Sequence, residues 1–285
     1  MNVVFKIFRK LYSFVLLSSK QLHSHLWIAL RGQFFVSYSN FIFVLGRRDV
    51  RFKKSEISEA KFVATNCSGD LVQYFSHEMQ AVVVYSGGLE ERANKISSDY
   101  MLSQIEFTDG DKVIDCGSNV GDLSLYFRVN SLKVGITAFE PSRREYQCAR
   151  LNQVEHNVIN TGLWSEDTTL EFYVSSQEAD SSFLQPKTFD EIISIPVQAG
   201  SRYARNRVKL LKLEAEGAEP EILLGFSETL SNIEYIAADV GFERGKKAES
   251  TIIPVVNYLL QRDFEIVDIN FERLCVLFRN KNLIS

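Results

Sequence analysis

The chain is short of the residues that make small-domain staples. Its four cysteines, Cys67, Cys116, Cys148 and Cys275, stand far apart, with no C-x-x-C and no histidine at metal-ligand spacing. That excludes a zinc module and a disulfide framework, and leaves buried thiols in a reducing, cytoplasmic setting as the expectation. Proline is scarce, at five residues, and beyond Arg51 there is no Pro/Gly/Ser linker, repeat or low-complexity tract. One compact domain follows. Long apolar runs are missing too. The stretch from Phe34 to Leu45 is broken by Ser37, Ser39 and Asn40, short of the roughly eighteen apolar residues that a membrane span needs. The N-terminal apolar run ends in Ser18, Ser19 and Lys20, without the small-x-small signature of signal-peptide cleavage.

What is present is a full-sized globular composition with an uneven charge. Of 285 residues, 45% are hydrophobic and 24% charged, enough to bury a core without cross-links. Residues 1–54 carry ten Lys and Arg against Asp49 alone, a charge of +9, so with −4 overall the remainder holds −13. An acidic body does not favour phosphate backbones, and no nucleic-acid partner is expected. At 100° per residue, Lys6, Arg9, Lys10 and Ser13 share one arc of the N-terminal segment, opposite Val4, Phe5, Phe8, Leu11, Tyr12 and Val15. Such a basic amphipathic helix suits peripheral contact with an anionic membrane, or docking on its own domain or a partner subunit. The expected organisation is a basic N-terminal helical appendage over 1–54, then a domain over 55–285 with its core at 87–280.

Along that domain short apolar runs alternate with helical patterns. Strands are expected at KVIDC (112–116), VGITAFE (134–140), NVINTG (157–162), TLEFYV (169–174), VKLLKLE (208–214) and EYIAADV (234–240), and helices at 119–128, 143–156, 218–225 and 250–261. Alternation of this kind predicts a doubly wound, Rossmann-like α/β sheet covered on both faces. FEIVDIN (264–270) runs almost directly into RLCVLFR (273–279), a link too short for a crossover helix, so the sheet should close with an antiparallel hairpin.

The turn DCGSNVG (115–121) follows the first strand of this winding, where open α/β sheets bind ligands. Gly117 and Gly121 permit close backbone approach. The spacing is D-x-G-x-x-x-G rather than the G-x-G-x-x-G of dinucleotide folds, and Asp115 at the strand end would repel a pyrophosphate. Glu140 ends the next strand, where a carboxylate takes two ribose hydroxyls. The pair points to a nucleoside without a diphosphate.

With these blocks the chain resembles the FkbM family of S-adenosylmethionine-dependent methyltransferases. The matching residues are VIDCGSNVGD (113–122), AFEPS (138–142), LWSED (163–167) with the EFYV strand, LLKLEAEGAEPEILLGF (210–226) and YIAADVGFERG (235–245), preceded by GGLEER (87–92). The family more often has aspartate where Glu214 stands. The resemblance implies a seven-stranded class I methyltransferase fold, S-adenosyl-L-methionine as cofactor, and O-methylation of a small-molecule or glycan acceptor, in sugar, polysaccharide or natural-product biosynthesis. It would place Asp115, Gly117, Asn119 and Gly121 at the methionine end of the cofactor, Glu140 at the ribose, and Gly162, Leu163 and Trp164 on the adenine side.

Methyl transfer is an in-line displacement that gains from positioning and from a general base. Candidate bases at the carboxyl ends of the central strands are Glu214, Glu216 and Asp239, with Glu219 a helical turn further on and His77 in a preceding loop. Carboxylates ending two adjacent strands could hold Mg²⁺, but too few further ligands can be named, so no metal site is assigned. Arg92 and Tyr100 could cap the methionine carboxylate or merely pack. Two rival readings are an NAD-dependent nucleotide-sugar enzyme, which needs a third loop glycine where Asp122 and Leu123 stand, and a non-catalytic binding module. No motif in the sequence sets an oligomeric state.

Overall fold

The structure is a computed structural model that describes residues 32–46, 48–78, 80–175 and 181–283. The basic helix expected over the first twenty residues lies outside the described residues. The described chain forms two compact units, divided between Leu89 and Glu90.

The first unit contains helix α1 (Gly32–Leu45) and an antiparallel sheet of β1 (Arg51–Lys54), β2 (Phe62–Thr65) and β3 (Val72–Phe75). It therefore runs well past Lys54, where the charge changes sign. These strands have four residues each, too short for alternation to stand out. α1 buries Phe35, Val36, Ser39 and Phe43. It docks through Asn40, whose side-chain amide donates to the Phe52 carbonyl at 2.5 Å and accepts from its N–H at 2.8 Å, as a neighbouring strand would. No helix among the described residues is long and apolar enough to cross a membrane.

The second unit carries the expected winding. Helix α2 (Leu89–Asp99) spans the division, and β4 (Lys112–Cys116), α3 (Asp122–Val129), β5 (Gly135–Phe139), α4 (Arg143–Asn152) and β6 (Asn157–Ile159) follow. Next come β7 (Gly162–Trp164), β8 (Thr168–Val174) and β9 (Glu191–Ala199). β10 (Val208–Leu213), α5 (Glu219–Gly225), β11 (Ile233–Asp239), α6 (Ile252–Leu260), β12 (Phe264–Asn270) and β13 (Cys275–Asn280) complete it. The main sheet has seven strands in the order β12-β13-β11-β10-β4-β5-β6, parallel except for the closing β12–β13 hairpin. This is the seven-stranded Rossmann-like fold of class I methyltransferases.

Central strands read as unbroken apolar runs because both faces are covered. Leu210, Leu211 and Leu213 of β10 and Ile233, Ile236, Ala237 and Ala238 of β11 are all fully buried, and a large aliphatic among them contributes roughly 1.5–3 kcal/mol relative to exposure.

Three details differ from the sequence expectation. The run at 157–162 is two strands, β6 in the main sheet and β7 in a separate small sheet of order β7-β9-β8. The helix expected from Asn119 begins at Asp122, because Gly117, Asn119 and Gly121 all adopt left-handed backbone (φ 73°, 48° and 91°). And β9 pairs with β8 although Pro196 sits inside it, which argues against a strand in sequence. The proline is tolerated because β7 joins β9 only from Val197 onward.

Candidate active site

The carboxyl ends of β4, β10 and β11 lie side by side, and their register decides which side chains meet. Cys116 pairs with Leu213, and Leu213 with Ala238, which puts Gly117, Glu214 and Asp239 in one row. Asp115 pairs with Lys212 one step below. Since strand side chains alternate in direction, Asp115, Lys212, Glu214 and Asp239 all project from the same face.

On the β4–β5 side the loop is held by backbone. Gly117 cannot carry a side chain, because a Cβ there would stand 1.9 Å from the Glu214 carbonyl oxygen. At Gly121 a Cβ would meet the Gln153 side chain at 2.8 Å. So both glycines answer to close packing within the protein as well as to any ligand. Glu140, almost fully buried, accepts from Asn119 N–H at 2.7 Å and from Ser142 N–H at 2.8 Å. Each carboxylate oxygen keeps a second lone pair for a hydroxyl donor. Burial, with the charge of Glu145 next, pushes its carboxyl up to about 8 against the partial opposition of those two N–H groups.

On the β10–β11 side the groups hold one another. The Lys212 ammonium, 4% exposed, donates to the Gly117 carbonyl at 2.7 Å and lies 3.1 Å from Asp115 and 2.7 Å from Glu214. The Arg273 guanidinium, from the β12–β13 turn, bridges Glu214 and Asp239, reaching Asp239 through Nε at 2.8 Å. Both cations lie over the Tyr100 ring, Lys212 at 5.5 Å and Arg273 at 5.9 Å from its centroid. Burial would raise the Glu214 carboxyl, but Lys212 and Arg273 outweigh it and hold it at about 2. Asp115, wholly buried, is shifted upward by burial against the pull of Lys212, which pairs with Oδ1, while Oδ2 has no hydrogen bond.

Taking ions from water into a site this dry costs several kcal/mol each, and the pairing at best returns that cost. Three carboxylates and two cations are a poor way to stabilise a sheet. They are a reasonable way to prepare a site for a charged ligand, and their sum is one negative charge.

A family model described as "Methyltransferase FkbM domain" matches residues 115–266. The chain belongs to the FkbM methyltransferase family. The chain is 27% identical over 151 residues to Methyltransferase 1 of Beauveria bassiana (strain ARSEF 2860), across 43% of this chain and 61% of that protein. Among solved structures it is similar to a methyltransferase FkbM from Methylobacillus flagellatus KT, with 18% identity and a TM-score of 0.46 over 62% of this chain and 45% of that one. A second is TrmK of M. capricolum, determined with S-adenosyl-homocysteine, with 9% identity and a TM-score of 0.37 over 68% of this chain and 67% of that one. The chain thus spans about three fifths of the length of the Beauveria relative.

Of the residues expected from sequence, the FkbM domain brings Asp115, Gly117, Asn119, Gly121 and Glu140 together in one loop system, with Glu214 and Asp239 beside it. Glu216, at φ 51°, turns the chain out of β10, and its carbonyl accepts from Ser182 Oγ at 3.0 Å. Glu219 is turned inward, accepting from Ala215 and Gly217 N–H and from the Thr251 hydroxyl, and burial raises its carboxyl to about 7. Leu163 belongs to the hydrophobic core with Cys116 and Phe139, and Trp164 packs at 6.0 Å from the Phe183 ring. Arg92 is paired with Asp122 at the start of α3. His77 belongs to the other unit, where its Nδ1 accepts from Gln80 N–H. Among the described residues no cluster of three or more His, Cys, Asp or Glu has metal-binding geometry, and the span between Glu214 and Asp239 holds the Arg273 guanidinium.

Sequence reasoning passed over Lys212 and Arg273. A lysine inside the buried run VKLLKL was a readable signal for the first. Arg273 had none, since its partners are set by the hairpin's place in the sheet.

Proposed function

We propose that this FkbM domain is an S-adenosylmethionine-dependent O-methyltransferase, and that its acceptor is a hydroxyl of a sugar, a surface-polysaccharide precursor or a related natural product. The observation that carries the reading is the surplus negative charge at the end of β4 and β10, next to a glycine loop whose shape Glu140 fixes. Asp115 Oδ1 is paired with Lys212 while its Oδ2 is buried without a hydrogen bond, and three carboxylates there face two cations. A cationic ligand relieves that imbalance, whereas the pyrophosphate of NAD would add to it. When bound, S-adenosylmethionine supplies an electrophilic methyl group on a cationic sulfur.

The residues of the chain do the rest. Gly117 and Gly121 keep the loop low against the sheet, and Glu140 offers its free lone pairs to ribose hydroxyls. Lys212 ties Gly117 to Asp115 and Glu214, so that loop and strand ends move as one body. Arg273 fixes Glu214 and Asp239 in place, which supplies the rigidity that an in-line displacement requires. Glu214, gripped by two cations, accepts a proton poorly and acts in positioning, as Glu216 does in turning the chain. Asp239 is the more basic of the two carboxylates that Arg273 binds, burial outweighing the guanidinium in its case.

The basic segment at 1–54 makes a lipid-linked glycan at the cytoplasmic membrane surface the first acceptor to try. The test is transfer of radiolabelled methyl from S-adenosylmethionine to separate pools of soluble nucleotide sugars, lipid-linked glycans and small-molecule extracts. Label in a glycan pool, lost on base-catalysed exchange of esters but not of ethers, identifies an ester; stable label supports O-methylation of a hydroxyl. Label in protein or nucleic acid alone contradicts the acceptor class.

A further inference from the structure

Among the described residues of the second unit, the two phenylalanines most open to solvent are Phe242, 69% exposed, and Phe271, 80% exposed. Both sit in turns that leave the sheet beside Asp239. The last register pair of β11 and β13 is Asp239 with Cys275, and one step further the Val240 N–H donates to the Leu274 carbonyl at 3.0 Å. The chain therefore carries Phe242 out of β11 alongside the β12–β13 turn that holds Phe271. That same turn sends Arg273 back to Asp239 at 2.8 Å.

Both turns are tied down by their own hydrogen bonds. In the hairpin turn, Asn270 Oδ1 accepts from the Glu272 and Arg273 N–H groups at 2.9 and 3.2 Å, and its amide donates to the Ser98 carbonyl at 3.1 Å. After β11, the Gly241 N–H donates to Asp239 Oδ1 at 3.1 Å and Ser250 Oγ to the Val240 carbonyl at 2.6 Å. Arg244 and Glu249 then close the loop with backbone hydrogen bonds at 3.0 and 3.1 Å. A single exposed phenylalanine needs no explanation. Two of them, on fixed backbone at one strand end, make a surface already ordered for a ligand.

The polar groups beside this surface narrow what it can take. Arg273 spends Nε on Asp239 and Nη2 on Glu214, and its Nη1 donates to nothing among the described residues. Glu214 and Arg273 are both partly open to solvent, so the edge offers an acceptor and a donor together. A lipid chain would suit the phenyl rings but would strip water from these ions without replacing it. A phosphate would suit the guanidinium but would meet Glu214 and Asp239. A hydroxyl both donates and accepts, and a sugar ring carries hydroxyls around an apolar C–H face.

We propose that Phe242 and Phe271 are the acceptor platform, and that they take the C–H face of a glycosyl ring whose hydroxyl edge turns towards Arg273 Nη1 and Glu214. This rests on the methyl-donor reading above and narrows its acceptor to compounds that carry a sugar ring.

The test is saturation-transfer NMR on the full chain, saturated with S-adenosylhomocysteine, against the methyl glycosides of glucose, galactose, mannose and rhamnose at millimolar concentration. The ring C–H protons of at least one glycoside should receive saturation from the protein. In the Phe242→Ala, Phe271→Ala double variant that signal should fall about tenfold, with S-adenosylhomocysteine affinity and melting temperature unchanged. The corresponding double tyrosine variant, which keeps both rings, should keep the signal. Saturation of no glycoside, or equal saturation in the double alanine variant, overturns the proposal and leaves the methyl-donor reading standing. So does binding to phosphatidylglycerol vesicles that the double alanine variant loses, since the rings would then be a membrane anchor. Failure of S-adenosylhomocysteine to bind the unaltered chain removes the reading and the proposal together.

Discussion

On the β4–β5 side of the sheet's carboxyl edge, polar groups are held by backbone: Glu140 takes its hydrogen bonds from main-chain N–H groups, and the glycines touch main chain or a neutral amide. On the β10–β11 side they are held by one another, through Lys212 and Arg273. The first arrangement resists change in salt, because its donors are uncharged main-chain N–H groups. The second is poised, because removing or adding one charge alters every neighbour. A donor pocket has to recognise one ligand in one pose, and fixed backbone suits that. A reacting centre has to move a proton, and coupled side chains suit that.

The largest effect should come from breaking the poised side at its buried cation. Lys212→Met leaves Asp115 and Glu214 without their shared partner and should cost about 3–5 kcal/mol in urea unfolding. A loss below about 1 kcal/mol would mean that those carboxyls simply protonate, and that the row is less coupled than the geometry implies. On the backbone side, Gly117→Ala adds a Cβ at 1.9 Å from a carbonyl oxygen to a residue at φ 73°. It should cost at least about 2 kcal/mol and weaken S-adenosylhomocysteine binding more than tenfold. Binding at wild-type strength would show that the loop is not the cofactor's seat.

Glu140→Gln is a smaller step, since the amide oxygen still accepts one N–H. It should weaken cofactor binding about tenfold through the lost second acceptor, with little change in binding of a ligand that lacks ribose hydroxyls. The smallest effect is on pH dependence. Glu140, Glu219 and Glu243 are all held above the usual 4.5 in the fold, at about 8, 7 and 8. The folded chain keeps protons that the unfolded chain has released, so their contribution is full below pH 4.5 and is lost as pH rises through 7 to 8. Glu214, held at about 2, works in the opposite sense, with stability present above 4.5 and lost as pH falls towards 2. The melting temperature should therefore fall between pH 6 and pH 9, less steeply in Glu243→Gln. A rise over that range would contradict the assignment of these carboxyls.

Much of this architecture was legible in sequence wherever the period was long and the punctuation strong. VKLLKL, EYIAAD and the closing FEIVDIN and LCVLFR runs read correctly as central strands and an antiparallel hairpin, because strands buried on both faces leave uninterrupted apolar runs. Four-residue strands in the first unit did not, and neither did β9, where Pro196 carries a local signal that the late entry of β7 overrides. The loop from Asp115 to Gly121 was placed by its glycines, yet their close contacts with Glu214 and Gln153 depend on strand register and helix ends that no local window contains. The same holds for Arg273, whose two partners end strands far away in sequence. Conversely, Glu214, one of the three carboxylates named as candidate bases, is held firmly in its ionised form, because two cations reach it from β10 itself and from the hairpin turn.

The most direct measurement is a binding titration of the purified full chain with S-adenosylhomocysteine and, in parallel, with NAD. Saturable one-to-one binding of the nucleoside thioether, abolished by Gly117→Ala and absent for NAD, is the predicted result. No response to S-adenosylhomocysteine or S-adenosylmethionine at millimolar concentration, or binding of NAD in their place, would contradict it.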